Sequence, residues 1–339
     1  MTYQEIHEAA KTQVGPYCKN CPVCNGRACA NAMPGPGCKA PGAVAQRNYD
    51  KWQEICVNMD TLCPNTTPDV GFDFAGRHFA APVFAAPLGS IDLHYGPKYK
   101  DIEYNEILIK AAADYGVAAL TGDGVDPEIM VASVREMAKV GGVGIPTIKP
   151  WNKEAVMRKL DWVNANHVLA VAMDVDGAGL PFLKAMNPNA GSKSVEEMRE
   201  LIDYADMPFI IKGVMTVAGA KKAVEAGAAA IVVSNHGGRV QGGTPATAEV
   251  LPAIADAVKG KLTIFVDGGI RSGLDVFRAI ALGADAVLIG RPILNMIYGG
   301  GAEGFKVYMD KIVGELKGTM TMCGAASLKD IDRSKLWGY

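Results

Sequence analysis

The chain has 339 residues, of which 49% are hydrophobic and 21% are charged, and its formal net charge at pH 7 is −2. These proportions are typical of a globular protein with a large core, and the balanced charge argues against a surface for nucleic acids or anionic membranes. The longest apolar runs, such as 167–173 and 228–233, are far too short to span a bilayer. Residues 1–13 lack a signal-peptide core and predict a short amphipathic helix, so we expect a cytoplasmic protein.

Proline and glycine are dense between residues 15 and 42, which predicts a loop-rich segment rather than a helix or a central strand. This segment, which we name the cysteine arm, carries five of the eight cysteines of the chain: Cys18, Cys21, Cys24, Cys29 and Cys38. Because the sequence shows no signal peptide, metal binding or redox chemistry is favoured over disulfide bonds.

The first four cysteines of the arm are separated by two, two and four residues. Two consecutive two-residue spacings resemble iron–sulfur ligation more than a zinc finger, in which the cysteine pairs lie far apart. The last interval differs from that of the bacterial ferredoxin motif, and Cys38 is an alternative ligand. The hypotheses are therefore a bound iron–sulfur cluster or zinc ion, a set of reduced structural thiols and, third, a disulfide.

From Ala81 onward, short apolar runs alternate eight times with amphipathic helical stretches. Continuous apolar strands are typical of a parallel sheet covered by helices, and eight units favour closure into a barrel. We therefore predict a TIM (β/α)8 barrel over residues 76–339, preceded by an N-terminal helix and the cysteine arm in residues 1–75. The predicted strands and helices are, in chain order, 82–87 and 104–115, 117–122 and 128–140, 144–149 and 153–165, 168–176 and 194–205, 209–213 and 216–226, 230–235 and 246–258, 263–269 and 272–282, and 286–290 and 303–316.

Active sites of this fold lie at the carboxyl ends of the strands. The seventh and eighth predicted strands end there in glycines, including Gly269 and Gly290, whose backbone N–H groups can bind phosphate. Arg271 and Arg291 follow them and add charge-assisted donors. These ends predict a phosphate site, and the alternative is that the glycines only turn the chain.

The sixth predicted strand runs into Ser234, Asn235 and His236, with Arg239 three residues further on. A neutral imidazole can take a proton near pH 7, and a guanidinium can hold a carboxylate through two parallel bonds. Asp176, at the end of the fourth predicted strand, can orient the imidazole and stabilise its charged form. Lys212 follows a buried run and precedes a glycine, so we expect it to point into the barrel mouth. The alternatives are a core histidine and a surface lysine.

The stretches IVVSNHGGRVQGG (231–243) and FVDGGIRSGLDVFRAIALGADAVLIGRP (265–292) resemble the FMN-dependent 2-hydroxy-acid oxidase and dehydrogenase family, which includes glycolate oxidase, lactate oxidase and flavocytochrome b2. The resemblance is strong over residues 205–330, weaker over 70–180 and absent from the first 45. It implies an FMN cofactor, a small carboxylate substrate, an electron acceptor that the sequence does not identify, and a homo-oligomer. If the cysteine arm binds a cluster over the barrel mouth, that cluster becomes a candidate electron relay to the flavin.

The resemblance also implies roles for individual residues. His236 would remove the hydroxyl proton while hydride passes to flavin N5, Arg239 would bind the substrate carboxylate, and Asp176 would support His236. Lys212 would stabilise the reduced ring at its N1–O2 edge, and Asp267 would bind the ribityl chain. The other implied FMN contacts are Ala86, Pro87, Leu88, Thr121 and Ser234 near the ring, and Gly269, Arg271, Gly290 and Arg291 at the phosphate.

Several departures from the family pattern affect the substrate pocket. The family's N-terminal tyrosine has no counterpart, and Asp123 stands where an aromatic residue is usual. The segment 145–149, IPTIK, lacks the family's flavin-contacting glutamine and substrate-contacting tyrosine, and Lys184 is a stand-in for a missing second arginine.

Two other classes of function compete with this hypothesis. One is a TIM-barrel enzyme of other chemistry, similar to type 2 isopentenyl diphosphate isomerase or to IMP dehydrogenase. The latter needs a nucleophilic cysteine in a barrel loop, and the only cysteine after Cys63 is Cys323. The other is a non-enzymatic flavin or metal sensor.

Overall fold

The computed structural model describes residues 1–29 and 43–339, so Cys38 lies outside the described residues. The strands are Phe72–Phe74 (β1), Arg77–Phe79 (β2), Val83–Ala85 (β3), Leu120–Thr121 (β4), Ile145–Ile148 (β5), Val171–Asp174 (β6), Phe209–Val214 (β7), Ala230–Val233 (β8), Thr263–Val266 (β9) and Ala286–Ile289 (β10). The α-helices are Tyr3–Lys11 (α1), Ala43–Gln53 (α2), Ile91–Tyr95 (α3), Asp101–Tyr115 (α4), Pro127–Lys139 (α5), Lys153–Asn164 (α6), Pro181–Met186 (α7), Val195–Tyr204 (α8), Val217–Ala226 (α9), Thr247–Val258 (α10), Gly273–Ala281 (α11) and Arg291–Met322 (α12).

Strands β3 to β10 form one parallel sheet in which each strand from β4 to β10 pairs with its neighbours in that series, and β10 pairs with β3. A parallel bridge between Ala85 and Ala119 joins the ends of the sheet. Nearly every residue of these strands is buried, because helices cover the outside and side chains fill the inside. The predicted TIM barrel is therefore confirmed. Of the helices in the described ranges, none has the length and apolarity needed to cross a membrane.

Most predicted strands are longer than the observed ones, and two boundary differences lie near the carboxyl end of the barrel. Strand β6 ends at Asp174, and a 3-10 turn, Val175–Gly179, carries the chain onward, so the predicted end at Asp176 was wrong. The range of α12 starts at Arg291, before the predicted helix 303–316, because it joins two helical parts at a kink: Gly301 (φ 58°, ψ −138°) is not helical, and the predicted helix lies in the second part. Gly299 is required there: a Cβ atom on it would lie 2.0 Å from the carbonyl oxygen of Ile6 in α1.

The segment before the barrel contains more regular structure than predicted, because α2 packs against the carboxyl end of the barrel. Its fully buried Trp52 donates from Nε1 to the carbonyl oxygen of Gly268 at 2.8 Å, and its Asn48 donates to Asn235 Oδ1 at 2.7 Å. A Cβ on Gly269 (φ 89°) would lie 2.4 Å from the carbonyl oxygen of Asn48, so only glycine allows this approach. Tertiary packing thus stabilises a helix whose sequence alone is weakly amphipathic.

A second missed element is the antiparallel hairpin of β1 and β2, which leads directly into β3 at the amino end of the barrel. The rings of Phe72 and Phe74 pack edge to face on Phe265, with centroids 6.1 and 5.2 Å apart. The predicted border between residues 75 and 76 falls in the turn of this hairpin. The division into an N-terminal segment and a barrel therefore stays a prediction.

Candidate active site at the carboxyl end of the barrel

The carboxyl ends of the barrel strands surround a cavity of about 330 Å³. Its size and its mixed apolar and polar wall are typical of a small-molecule site. The predicted site residues that form its wall are Ala86, Pro87, Leu88, Lys212, His236, Arg239, Asp267, Gly269, Arg271, Gly290 and Arg291. Thr121, Ser234 and Asp176 lie behind this wall, and Lys184 is exposed on α7 and apart from it.

His236, on the cavity wall, forms a hydrogen-bonded pair with Asp176, which lies behind the wall. The Nδ1 atom of His236 lies 3.1 and 3.3 Å from the two carboxylate oxygens of Asp176. The backbone of His236 has the strained value φ 59°, and its N–H donates to Ser234 Oγ at 3.1 Å. Strain of this kind is typical of functional sites because the surrounding structure must maintain it.

The surroundings of the pair favour a neutral imidazole and an ionised carboxylate. Burial lowers the pKa of His236, and Asp176 opposes this shift without reversing it. Burial raises the pKa of Asp176, but the charges of His236 and Lys212 outweigh it and place the pKa well below its usual value. His236 therefore donates from Nδ1 to Asp176 and leaves the Nε2 lone pair available as a base.

Lys212 is a buried cation beside this pair. Its Nζ atom lies 3.1 Å from Ser234 Oγ and 3.5 Å from Asp267 Oδ2. Burial lowers the pKa of Lys212, but Asp267, Asp176 and Asp174 outweigh it, so the net shift is upward. A permanently charged ammonium on the wall can stabilise negative charge that develops in the cavity.

Arg239 and His94 occupy the side of the cavity next to α3. The Nε atom of Arg239 is buried and has no hydrogen-bond partner in the described part of the chain. Burial, and then the charge of Arg239, lowers the pKa of His94 to about 4, so His94 is neutral at neutral pH. A guanidinium with a free donor in a low-dielectric site is suited to bind a carboxylate.

A further part of the cavity wall, which we name the phosphate side, has the features of a phosphate site. Gly290 precedes the first residue of α12, so the N–H groups and the positive dipole end of that helix lie at the cavity. Arg271 and Arg291 stand beside it on the wall. The structure thus brings the predicted phosphate residues together on the cavity wall.

The cysteine arm reaches this phosphate side. Arg271 Nε donates to the carbonyl oxygen of Cys24 at 2.6 Å, and the Cys18 thiol lies 3.5 Å from Asn295 Oδ1 in α12. The cysteines in residues 1–29 and 43–339 are free, which contradicts the disulfide alternative for them. Among these residues, three potential metal ligands come within 4.8 Å of one another only at Asp174, Asp176 and His236. Lys149 and Lys212 already neutralise that acidic group.

Sequence reasoning missed an ion-pair network on the cavity wall. Lys149, which follows β5, pairs with Asp174 at the end of β6, and Asp174 Oδ2 lies 4.0 Å from His236 Nδ1. Asp123 follows β4 and accepts from Lys159 Nζ at 2.7 Å and from the Trp151 ring N–H at 2.7 Å. The sequence signal for this network is the polar residue at the end of each strand. We used that signal for the later strands but not for β4 and β5.

Unpaired buried atoms on the wall show that the cavity fits a polar cofactor. Buried polar atoms normally have partners, so a cluster of atoms without them indicates a ligand. Within the described ranges, the wall residues with a buried side-chain atom that lacks a partner are His94, Tyr95, Thr147, Asp174, Arg239 and Asp267. Asp267 Oδ1 can accept from a cofactor hydroxyl, and the arginines and the α12 N-terminus can hold its phosphate.

The fold and site together define a TIM-barrel protein that holds a phosphate-bearing cofactor next to an acid–base pair. The chain belongs to the FMN-dependent dehydrogenase family, whose family model matches residues 95–338. This match confirms the resemblance predicted from the sequence.

Curated relatives match the chain over part of its length. The L-lactate dehydrogenase of Vibrio parahaemolyticus is 46% identical over 150 residues, which are 44% of this chain and 39% of that enzyme. The L-lactate dehydrogenase of Pseudomonas putida is 49% identical over 150 residues, with the same coverage. The match therefore spans less than half the length of these relatives.

Solved structures match over nearly the whole chain. A mandelate oxidase variant with (S)-mandelic acid has a TM-score of 0.78 and 25% identity, and the match covers 99% of this chain and 97% of that chain. A structure assigned to lactate oxidase of Pediococcus acidilactici has a TM-score of 0.80 and 24% identity, with 100% and 95% coverage, and shows the fold alone.

Proposed function

We propose that this protein binds FMN and oxidises a small 2-hydroxy acid to the corresponding 2-oxo acid. The observation that carries the proposal is the His236–Asp176 pair, in which His236 lies on the cavity wall with Lys212 and Arg239 and beside the phosphate side. Support also comes from the family match and from relatives named L-lactate dehydrogenase.

FMN, when bound, supplies a two-electron acceptor for the substrate hydride. Its phosphate would be held by Gly269, Arg271, Gly290 and Arg291, and Asp267 would bind the ribityl hydroxyls. Ala86, Pro87 and Leu88 form the apolar wall on which a flat ring can lie. Thr121 and Ser234 lie behind that wall, and we keep them in the proposed FMN site only in that position. Ser234 Oγ contacts Lys212 there.

The chain's own residues would then perform the proton transfer. Arg239 binds the substrate carboxylate and so directs the 2-hydroxyl group toward His236. His236 accepts the hydroxyl proton at Nε2 because its Nδ1–H is engaged by Asp176. Asp176 stabilises the resulting imidazolium, and Lys212 stabilises negative charge at the cofactor edge.

Two of the competing functions fit the site less well. An IMP dehydrogenase-like mechanism needs a cysteine in the site, yet Cys323 is buried after α12 and is not part of the cavity wall. A sensor without catalysis has no need for a strained histidine that is paired with a buried carboxylate. We retain the oxidoreductase as the proposal, with cytoplasmic location, a homo-oligomer and an unidentified electron acceptor as further parts of it.

The proposal also keeps a metal, as an iron–sulfur cluster or a zinc ion, for the cysteine arm, whose described thiols are free. This part is independent of the barrel chemistry.

Anaerobic flavin reduction tests the main proposal. We expect the purified protein to be yellow, and L-lactate, glycolate or mandelate to bleach the flavin absorbance within a panel of 2-hydroxy acids. A protein that contains flavin but is reduced by no 2-hydroxy acid in the panel would contradict the proposed reaction, and a protein that cannot bind FMN would contradict the cofactor.

A further inference from the structure

We propose that the cysteine arm binds an iron–sulfur cluster through Cys18, Cys21, Cys24 and Cys29, beside the phosphate side of the flavin cavity. This deepens the proposed function, because it chooses between the two metals that the proposal keeps for the arm. The four thiols are free and partly buried, and they lie within a stretch of twelve residues.

Backbone contacts fix the arm in place. His7 Nε2 contacts the carbonyl oxygen of Cys21 at 3.2 Å, and Arg271 Nε donates to that of Cys24 at 2.6 Å. Asn20, which is almost fully buried, donates from Nδ2 to the carbonyl oxygen of His7 at 2.6 Å. The contact at Cys21 uses only its carbonyl group and leaves the thiol available, whereas Arg271 also hydrogen-bonds the Cys24 thiol. A loop that is anchored in this way can present several sulfur atoms to one ligand.

The thiols lie close enough to one another to interact electrostatically. The Cys24 thiol interacts electrostatically with those of Cys18 and Cys21, and Cys21 also interacts with Cys29. Apolar packing does not explain such a grouping, because the arm residues between the cysteines are polar or exposed, as at Lys19 and Val23.

The spacing of the thiols favours a cluster over zinc. Four thiolates bound to one zinc ion at about 2.3 Å stand about 4 Å apart. Within the described residues, no three arm thiols come within 4.8 Å of one another. In a [4Fe–4S] cluster each of the four thiolates binds a different iron atom, so the sulfur ligands stand further apart than around a single ion. Consecutive two-residue spacings are also the pattern of cluster-binding loops rather than of zinc fingers.

Two arginines supply positive charge beside the four cysteines. Arg291 interacts electrostatically with Cys18, Cys24 and Cys29, and Arg271 interacts with Cys24. A cluster with four thiolate ligands is anionic, and nearby guanidinium groups stabilise it. Both arginines also line the flavin cavity, so the cluster would lie directly behind the cofactor's phosphate site.

Metal analysis of the full chain tests this site. The protein is purified anaerobically, treated with ferrous iron and sulfide, and desalted; iron, acid-labile sulfide, zinc and flavin are then measured in the same sample. We expect iron and sulfide in equal amounts and a broad visible absorbance that dithionite bleaches. Cys21→Ser and Cys29→Ser should lose most of the iron and sulfide. Cys56→Ser and Cys63→Ser, which change exposed cysteines outside the arm, should keep both.

Zinc in place of iron, no bound metal after reconstitution, or iron that survives both arm substitutions would overturn the cluster. Circular dichroism checks that each variant is folded, and Cys24→Ser provides a third variant. Flavin without iron contradicts only the cluster, whereas iron without flavin contradicts only the proposed function.

Discussion

The Nδ1 atom of His236 lies 3.1 Å from Oδ1 of Asp176, and this contact determines which ring nitrogen can act as a base. A carboxylate that accepts from Nδ1–H fixes the tautomer in which Nε2 carries the lone pair. Asp174 stands on the same side at 4.0 Å, so two carboxylates face the imidazole. Together they can stabilise the imidazolium that forms when His236 takes a proton.

Replacing His236 with alanine should leave FMN bound and slow flavin reduction by the best 2-hydroxy acid about 100-fold or more, which is the usual contribution of a general base. Stopped-flow absorbance at the flavin band measures the rate. The matched control is His78→Ala, because His78 is exposed on the β1–β2 hairpin. Equal reduction rates in the wild type and in His236→Ala would exclude His236 from the mechanism.

The pH dependence of kcat/KM should reflect the ionisation of His236. Because burial lowers the pKa of His236 below 6.5, the neutral base persists above that value and is lost as the pH falls through the lowered pKa. The acidic limb should therefore lie below pH 6.5. Asp176→Asn removes a charge that raises this pKa, so its limb should shift to lower pH while the maximal rate falls. If the acidic limb of Asp176→Asn lies at the same pH as that of the wild type, a group other than His236 causes it.

The barrel could be predicted because its signal is local and repeated. Each strand is a continuous apolar run, and each helix has its own amphipathic pattern, so boundary errors did not change the topology. Helix α2 and the β1–β2 hairpin could not be found in this way. The partners of Trp52 and Phe74, Gly268 and Phe265, lie far along the chain, so no local pattern reveals these contacts.

The residues of the candidate site also differ in whether a local sequence motif predicts them. Residues with a characteristic local motif, such as His236 and Arg271, were predicted and lie on the cavity wall. Lys149 and Asp174 were missed because their role depends on pairing between neighbouring strands, 25 residues apart in the chain. Thr121 was assigned by resemblance alone, and it lies behind the wall.

Arg271→Ala should weaken FMN binding. A charged hydrogen bond contributes roughly 1.5–3 kcal/mol, so we expect Kd to rise about 10- to 100-fold. Fluorescence titration of the flavin-free protein with FMN measures it. Arg333→Ala is the control, since Arg333 pairs with Asp256 at the protein surface. Because Arg271 also contacts the cysteine arm, riboflavin should be titrated too: it lacks the phosphate, so its affinity should change little if the loss is at the phosphate. An equal loss for both ligands would indicate collapse of the site instead.

Lys149→Met should alter both substrate binding and the titration of His236. The ammonium group of Lys149 lies on the cavity wall, and its loss should raise KM for a 2-hydroxy acid roughly tenfold by removing one charged donor. The positive charge of Lys149 lowers the pKa of His236, and its removal also leaves Asp174 uncompensated, so the acidic limb of kcat/KM should shift to higher pH. Lys149→Arg should restore the wild-type limb, and the exposed Lys153→Met should leave both quantities unchanged. A raised KM with an unshifted limb would place Lys149 at the substrate but outside the electrostatic environment of His236.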